Sequence, residues 1–481
     1  MSLAKKTTVG VVWNFAEQFA RRGINVVVTL ILAYFLAPED YGLVAMMAVF
    51  LALGSTLMES GFKQALIRLK EAKQVDFDTA FYANITLGVV SCVVLFVAAP
   101  YIADFYEEPR LIELVRVASL AVIINSFQVV QVATLSRELN FKAQLKANLP
   151  AVVISSIVAI VLAYMEYGVW ALVMQMLVSA VLVTLFLWLQ GFWRPTRSFS
   201  VVSLRNMYHF GYKLFLSGVL DTIFRNLYVI IIAKIFSASV AGLYFFAEKI
   251  KELMISQLVA SVQTVTYPAL AAMQDDNERL KQGYKKVIGV TTFLLFPAML
   301  FLAALAEPLF EFLLPQKWWN AVIYLQLMTI AGLMYPLHAI NLNILKVKGR
   351  SDLFLYLEIV KKILVVVILS VSIGFGIIGI LVGQIIGSFL AYVPNSYYSA
   401  RLIDYGIKEQ IADFAPVILL SGGVALVVYA LQLWAQWSSW IELVVFGGVA
   451  ALLYLLGAHM LKLQAYEMAK ELVMKKMRER R

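Results

Sequence analysis

Runs of about twenty apolar residues, parted by short polar connections, recur from one end of the chain to the other. A helix needs about 20 such residues to cross the hydrocarbon core of a bilayer. On that measure the pattern predicts fourteen spans. The first seven lie near 11–36, 41–62, 80–104, 111–135, 147–166, 169–190 and 208–236. The others lie near 240–270, 286–311, 319–345, 353–373, 376–400, 413–433 and 439–462. The longest connections, roughly 63–79 and 191–207, hold about twenty residues each, too few for a folded domain outside the membrane. The predicted fold is an all-α polytopic membrane protein, and a soluble catalytic module has no place in it.

The spans repeat. Leu36-Ala37-Pro38-Glu39-Asp40-Tyr41-Gly42-Leu43 lies over Phe236-Ser237-Ala238-Ser239-Val240-Ala241-Gly242-Leu243 at a shift of about 200 residues. Tyr167-Gly168-Val169-Trp170-Ala171-Leu172 lies over Phe375-Gly376-Ile377-Ile378-Gly379-Ile380 at a shift of about 208. Both matches fall at corresponding junctions, after the first span and after the fifth of each half, which favours duplication over chance among apolar residues. Six spans is an even number, so the two halves share one orientation. The expected organisation is a six-helix lobe at 1–197, a second at 198–408, and a helix pair with a basic tail at 409–481.

Composition agrees with the pattern: of 481 residues, 62% are hydrophobic and 15% charged, more apolar surface than a soluble domain could hide. One cysteine, Cys92, excludes an intramolecular disulfide, and His209, His338 and His459 are too scattered to suggest metal ligation. The first span carries Arg21 and Arg22 and no small-residue cleavage site, so no cleavable signal is expected. The net charge of +10 belongs to membrane loops and not to nucleic-acid binding. Bases concentrate on alternate connections, from Lys63, Arg68, Lys70 and Lys73 through Arg279, Lys281 and Lys285 to a tail that begins at Lys475. The positive-inside rule then places both termini in the cytoplasm.

Charges inside the spans carry the functional information. Asn14, Gln18, Arg21 and Asn25 share one face of the first helix, with Glu17 and Arg22 beside them. Its repeat partner, the seventh span, carries Lys213, Ser217, Asp221 and Arg225 at four-residue spacing. The eighth adds Glu248, Lys249, Lys251 and Glu252, the eleventh Glu358, Lys361 and Lys362, and the second ends at Glu59. Each charge at mid-membrane costs on the order of 3 kcal/mol. Lys234, Lys361 and Lys362 lie near span ends, where long side chains snorkel. The others must pair internally or face a hydrated cavity between the lobes. Bases outnumber acids, so full pairing leaves positive charge over. Such a cavity suits an anion, and guanidinium suits phosphate in particular. The expected anion-binding set is Arg21, Arg22, Asn25, Lys213, Arg225, Lys249 and Lys251; Glu17, Glu59, Asp221 and Glu248 are candidates for ion coupling.

Gly379, Gly383 and Gly387 form a small-residue stripe for close helix packing. Trp434, Trp437 and Trp440 resemble an interfacial aromatic belt, and Trp318 and Trp319 invite the same reading. No phosphate-cradling glycine loop, Ser-His-Asp set or metal motif occurs, so no cofactor is expected.

Several segments resemble the lipid-linked oligosaccharide flippases of the multidrug/oligosaccharidyl-lipid/polysaccharide superfamily, within it the colanic-acid and teichuronic-acid exporter-like group. They are Leu36 to Leu43, Gly61 with Gln64-Ala65-Leu66-Ile67, Tyr267-Pro268-Ala269-Leu270 with Gln274-Asp275-Asp276, Phe296-Pro297, Gln316-Lys317-Trp318 and Leu325-Gln326-Leu327. The resemblance implies a bacterial inner-membrane protein that moves an undecaprenyl-pyrophosphate-linked oligosaccharide to the periplasmic leaflet for a surface polysaccharide. It also implies alternating access, a proton or sodium gradient as drive, and arginines in the cavity, here Arg21, Arg22 and Arg225. The lipid-linked substrate and the bilayer are the expected partners, and polysaccharide polymerase machinery is a candidate one. A multidrug exporter of the same superfamily would prefer acidic and aromatic groups for organic cations, the opposite charge balance. A peptidoglycan-precursor flippase also handles an anionic lipid and stays open as an alternative.

Overall fold

A computed structural model describes residues 3–435, 437–467 and 470, with residues 3–12, 14, 15, 256–265 and 267–269 described by backbone alone. The side chain of Asn14 and the basic tail from Lys475 therefore lie outside the described residues. The described chain is helical throughout. Its elements are α1 Leu3–Phe35, α2 Pro38–Glu59, α3 Phe62–Arg68, α4 Gln74–Tyr106, α5 Leu111–Ser126, α6 Val129–Arg137, α7 Phe141–Tyr164, α8 Val169–Leu189, α9 Val201–Arg225 and α10 Leu227–Ile235. Then follow α11 Ala238–Ala271, α12 Asn277–Ala304, α13 Ala306–Leu313, α14 Val322–Gly332, α15 Tyr335–Val347, α16 Ser351–Ser372, α17 Gly376–Ile403, α18 Ile407–Ala435 and α19 Ser439–Met460.

All fourteen expected spans fall on these helices in order. Five of them are broken passes, namely α2 with α3, α5 with α6, α9 with α10, α12 with α13 and α14 with α15. Ten stretches are long and apolar enough to cross a membrane, eleven with the bent α9–α10 pair; one of the ten, Ser351–Ile403, holds both α16 and α17. α1 and α11 are the helices left outside that set, because both carry several charged and polar groups within their apolar length. Local chemistry sets the helix starts. Asp40 accepts from Ala37 N at 2.8 Å, Asn140 from Ala143 N at 3.2 Å, Ser200 from Ser203 N at 3.2 Å and Asp276 from Arg279 N at 3.0 Å.

The chain forms two compact units, Met1–Phe245 and Phe246–Arg481. The division falls inside α11, since α9 packs on α2, α3 and α4, and α10 on α2 and α4. Within the first unit α1 lies on α7, α7 on α8, and α2 on α4 and α5. In the second, α12 packs on α18, α17 on α14, α15 and α16, and α19 on α13 and α18. The C-terminal pair is thus an integral part of that unit, tied by Tyr454 Oη donating to Phe293 O at 2.8 Å and by Phe414 edge-on to Phe296. The glycine stripe of α17 seats α16: a Cβ on Gly383 would lie 2.9 Å from Ser372.

The duplicated turns meet. A Cβ on Gly42 would stand 1.7 Å from Ala238 O, and one on Gly242 would stand 1.7 Å from Pro38 O. Gly42 and Gly242 are the residues superposed by the shift of 200, as are Pro38 and Ala238. The contact is reciprocal, as two-fold-related surfaces require.

One expectation is corrected by packing. Trp318 is fully buried against Phe246, ring centroids 4.5 Å apart, and so belongs to the core of its unit; Trp434 is 88% exposed. Lys234, near the end of its span, pairs with Glu107 at 2.7 Å.

A polar knot fixes where α9 begins. Asp78 is completely buried at the start of α4. It accepts from Thr196 N at 3.0 Å, from the Thr196 and Ser198 hydroxyls, and from Gln74 Nε2 at 3.0 Å. Ser203 Oγ donates to Asp76 at 2.6 Å. Asp78→Ala removes the buried carboxylate that these donors share, at about 1–3 kcal/mol for each one that water does not reach. A drop of several degrees in the thermal midpoint of the purified chain, larger than that of Asp76→Ala, is the expected result.

Candidate functional site

On α1, Glu17 is buried and fastened, accepting from Asn148 Nδ2 of α7 at 3.1 Å and lying 3.3 Å from Arg21 Nε. Arg21 is half-exposed, and Arg22 and Asn25 are partly buried. Glu17 is therefore an anchor between α1 and α7, with its carboxylate already engaged. Sequence reasoning missed Asn148, which is 131 positions away and carried no signal of its own.

The seventh span presents two unlike faces. Lys213, Ser217, Asp221 and Arg225 are all exposed along one side of α9. Arg225 and Asp221 pair at 2.8 Å with 76% and 60% of their side chains exposed. Lys213 has no carboxylate partner among the described residues; its Nζ lies 5.9 Å from the Tyr212 ring. Gly211, Gly218 and Thr222 form the side that seats α9 on α2. A Cβ on Gly211 would lie 2.2 Å from Ser60 O, one on Gly218 3.1 Å from the Thr56 methyl, and Thr222 Oγ1 is 3.4 Å from Thr56 Oγ1. Small residues at this spacing let two helix backbones touch. Phe215, Val219 and Ile223 line an apolar cavity of about 660 Å³ with Leu53, Leu57 and Val94 of α2 and α4. At Asn226 the helix bends by 46° into α10.

α10 ends in a charged clasp with Glu107, just past the end of α4. The Lys234 ammonium holds the Glu107 carboxyl below its ordinary range, first through the hydrogen bond and then through charge. Arg110 bridges Glu108 and Glu39. In the second unit Lys251 pairs with Glu248 at 2.8 Å, Lys361 pairs with Glu358, and Lys249 is exposed. Glu59 is partly buried and forms no hydrogen bond or ion pair among the described residues. Of the expected set, the structure joins Arg21 to Glu17, Arg225 to Asp221 and Lys251 to Glu248, each within a single helix. Of these only Arg225–Asp221 is exposed at both ends, and such a pair holds by about 0–1 kcal/mol. An anionic ligand can therefore recruit Arg225 away from Asp221 at little expense. What α9 offers is a cationic stripe on one side and an apolar hollow around its circumference.

Residues 31–323 match the model of a family described as polysaccharide biosynthesis protein. The lipopolysaccharide biosynthesis protein WzxC of Escherichia coli (strain K12) is 26% identical over 446 residues, covering 88% of this chain and 90% of that one. The succinoglycan biosynthesis transport protein ExoT of Rhizobium meliloti (strain 1021) is 26% identical over 334 residues, covering 69% and 68%. Among solved structures, the lipid II flippase MurJ in an inward closed conformation superposes with a TM-score of 0.77 at 14% identity, over 94% of this chain and 98% of that one. An inward-facing multidrug resistance MATE family transporter of the MOP superfamily gives 0.58 at 17% identity, over 79% and 95%. At these identities the structural likeness is one of fold.

Proposed function

The chain belongs to the polysaccharide biosynthesis protein family, and from that premise we propose that it flips a lipid-linked oligosaccharide across the bacterial inner membrane. The observation that carries the reading is the seventh span, where Lys213 and Arg225 stand exposed within a membrane helix beside an apolar hollow. A polyprenyl pyrophosphate has the matching chemistry: a doubly anionic linkage for the cations and a hydrocarbon tail that stays in lipid. Alternating exposure of the bound head to the two sides of the membrane completes transfer without making or breaking a covalent bond, so the activity is transport and not catalysis. The concentration of bases on alternate loops supports a reading with both termini in the cytoplasm. The names of the relatives, a lipopolysaccharide biosynthesis protein and a succinoglycan transport protein, support a substrate destined for a surface polysaccharide.

Deleting the chain tests this directly. Expected is a fall in surface glycan together with accumulation of its lipid-linked repeat unit on the cytoplasmic face. Accumulation of a peptidoglycan precursor instead, or drug hypersensitivity with normal glycan, overturns the proposal.

A further inference from the structure

One histidine sits inside the second unit with a hydrogen-bond arrangement that the anion site does not use. His338 lies on α15, ten residues before Lys348, which at 1.5 Å per residue places it about 15 Å from the basic end of the span. That is roughly half the thickness of the hydrocarbon core. His338 Nε2 is 3.0 Å from Ser388 O, and its Nδ1 is 2.9 Å from Asn395 Nδ2, both partners belonging to α17. A carbonyl can only accept and an amide NH₂ can only donate. The ring is therefore the neutral Nε2–H tautomer, with Nδ1 as acceptor. This arrangement leaves Asn395 Oδ1 without a hydrogen-bond partner among the described residues, although Asn395 is only 1% exposed. A buried orphan acceptor one bond rotation away from a titratable nitrogen calls for an explanation.

We propose that His338 and Asn395 form a proton-binding switch. Nδ1 takes up one proton, Nε2–H keeps its bond to Ser388 O, and the Asn395 amide turns over so that Oδ1 accepts from the new Nδ1–H. The neutral ring selects one amide orientation and the imidazolium the other, and the two are nearly the same shape, so the exchange needs no repacking. The groups facing this pair from the packed elements are Tyr392 of α17, its ring 6.3 Å from that of His338, and Lys361 of α16 with its partner Glu358. A buried polar network runs from Tyr392 toward the basic loops. Tyr392 Oη donates to Gln410 Oε1, Gln410 Nε2 donates to Tyr405 O at 2.9 Å, and Tyr405 Oη donates to Asp413, which lies 3.5 Å from Lys285. It brings polar groups from the basic, cytoplasmic end of the unit to the neighbourhood of the ring, on the side to which a proton moving inward would be released. An intramembrane ionisable group with a named partner is by default a functional one. The use of this switch, coupling flipping to a proton gradient, rests on the transport reading above; the switch itself does not.

The test is a titration of the full chain in lipid nanodiscs. With ring-¹⁵N histidine in a His209→Gln, His459→Gln background, a single imidazole remains. Expected at high pH is a protonated Nε2 and a bare Nδ1, and on acidification a second N–H together with a shift of the Asn395 side-chain amide. Asn395→Leu, which offers no Oδ1, is expected to lower the midpoint by roughly one pH unit, a tenfold loss of proton affinity. An Nδ1–H tautomer at high pH, an imidazole that never takes a second proton before the chain unfolds, or an unmoved midpoint in Asn395→Leu overturns the switch. In cells, His338→Gln is expected to remove the dependence of export on external pH, and persistence of that dependence overturns the coupling. If the deletion strain accumulates no lipid-linked glycan, the flippase reading fails while the titration still decides the switch.

Discussion

A chain carrying Lys213→Gln and Arg225→Gln together is expected to insert and fold normally and to export almost no glycan. Neither side chain holds the fold. Arg225 pairs with its own helix neighbour Asp221, both largely exposed, and such a pair contributes no more than about 1 kcal/mol. Lys213 has no carboxylate partner to lose among the described residues. The same two groups matter far more to a pyrophosphate held away from bulk water, because a hydrogen bond to a charged group is worth about 1.5–3 kcal/mol. Losing both removes about 3 kcal/mol or more, a hundredfold or greater loss of affinity for the anionic head. Surface glycan, the accumulated lipid-linked unit and the amount of chain in the membrane are the three measurements. Asp221→Asn is the matched control: it frees Arg225 and is expected to keep or raise export. Normal export from the double variant would remove the cationic stripe of α9 from the mechanism.

The sequence made much of this helix legible, and the limits are physical. Four-residue spacing alone put Lys213, Ser217, Asp221 and Arg225 on one side, because a helix imposes that geometry whatever surrounds it. Periodicity within one helix could not say which distant residue each face would meet. Gly211 became a contact point only once Ser60 and Gly61, about 150 residues earlier, arrived beside it. Gly61 is itself fixed by a left-handed turn at φ 76° between α2 and α3, a conformation glycine adopts without strain. Glu17 looked like a free intramembrane acid until Asn148 answered it. Trp318 looked interfacial because tryptophans beside spans usually are, whereas the neighbouring Phe246 makes it core. Metal-ligand spacing is a criterion blind to His338, whose partners are an amide and a carbonyl. The repeat shows the opposite case: a match seen only as letters proved to be a contact between the matched residues themselves.

That contact yields the second large effect, and its signature is non-additivity. Gly42→Val and Gly242→Val are each expected to destabilise the chain and to lower export. At 1.7 Å from a carbonyl oxygen a Cβ overlaps backbone, not the end of a flexible side chain, so no rotamer change relieves it and the two helices must move apart. Overpacking of this sort typically costs 1–3 kcal/mol, occasionally more, and the glycine Cα–H contacts to those carbonyls are lost with it. Because Pro38 O faces Gly242 while Ala238 O faces Gly42, either substitution alone opens the same crossing. The second then meets a gap already made. The double variant is therefore expected to lose clearly less stability than the sum of the two singles, a coupling of the kind shown by residues that share one contact. Thermal unfolding of the four purified chains measures it. Simple additivity would mean that the two glycines act at separate places, and the reciprocal crossing of α2 and α11 would have to be abandoned.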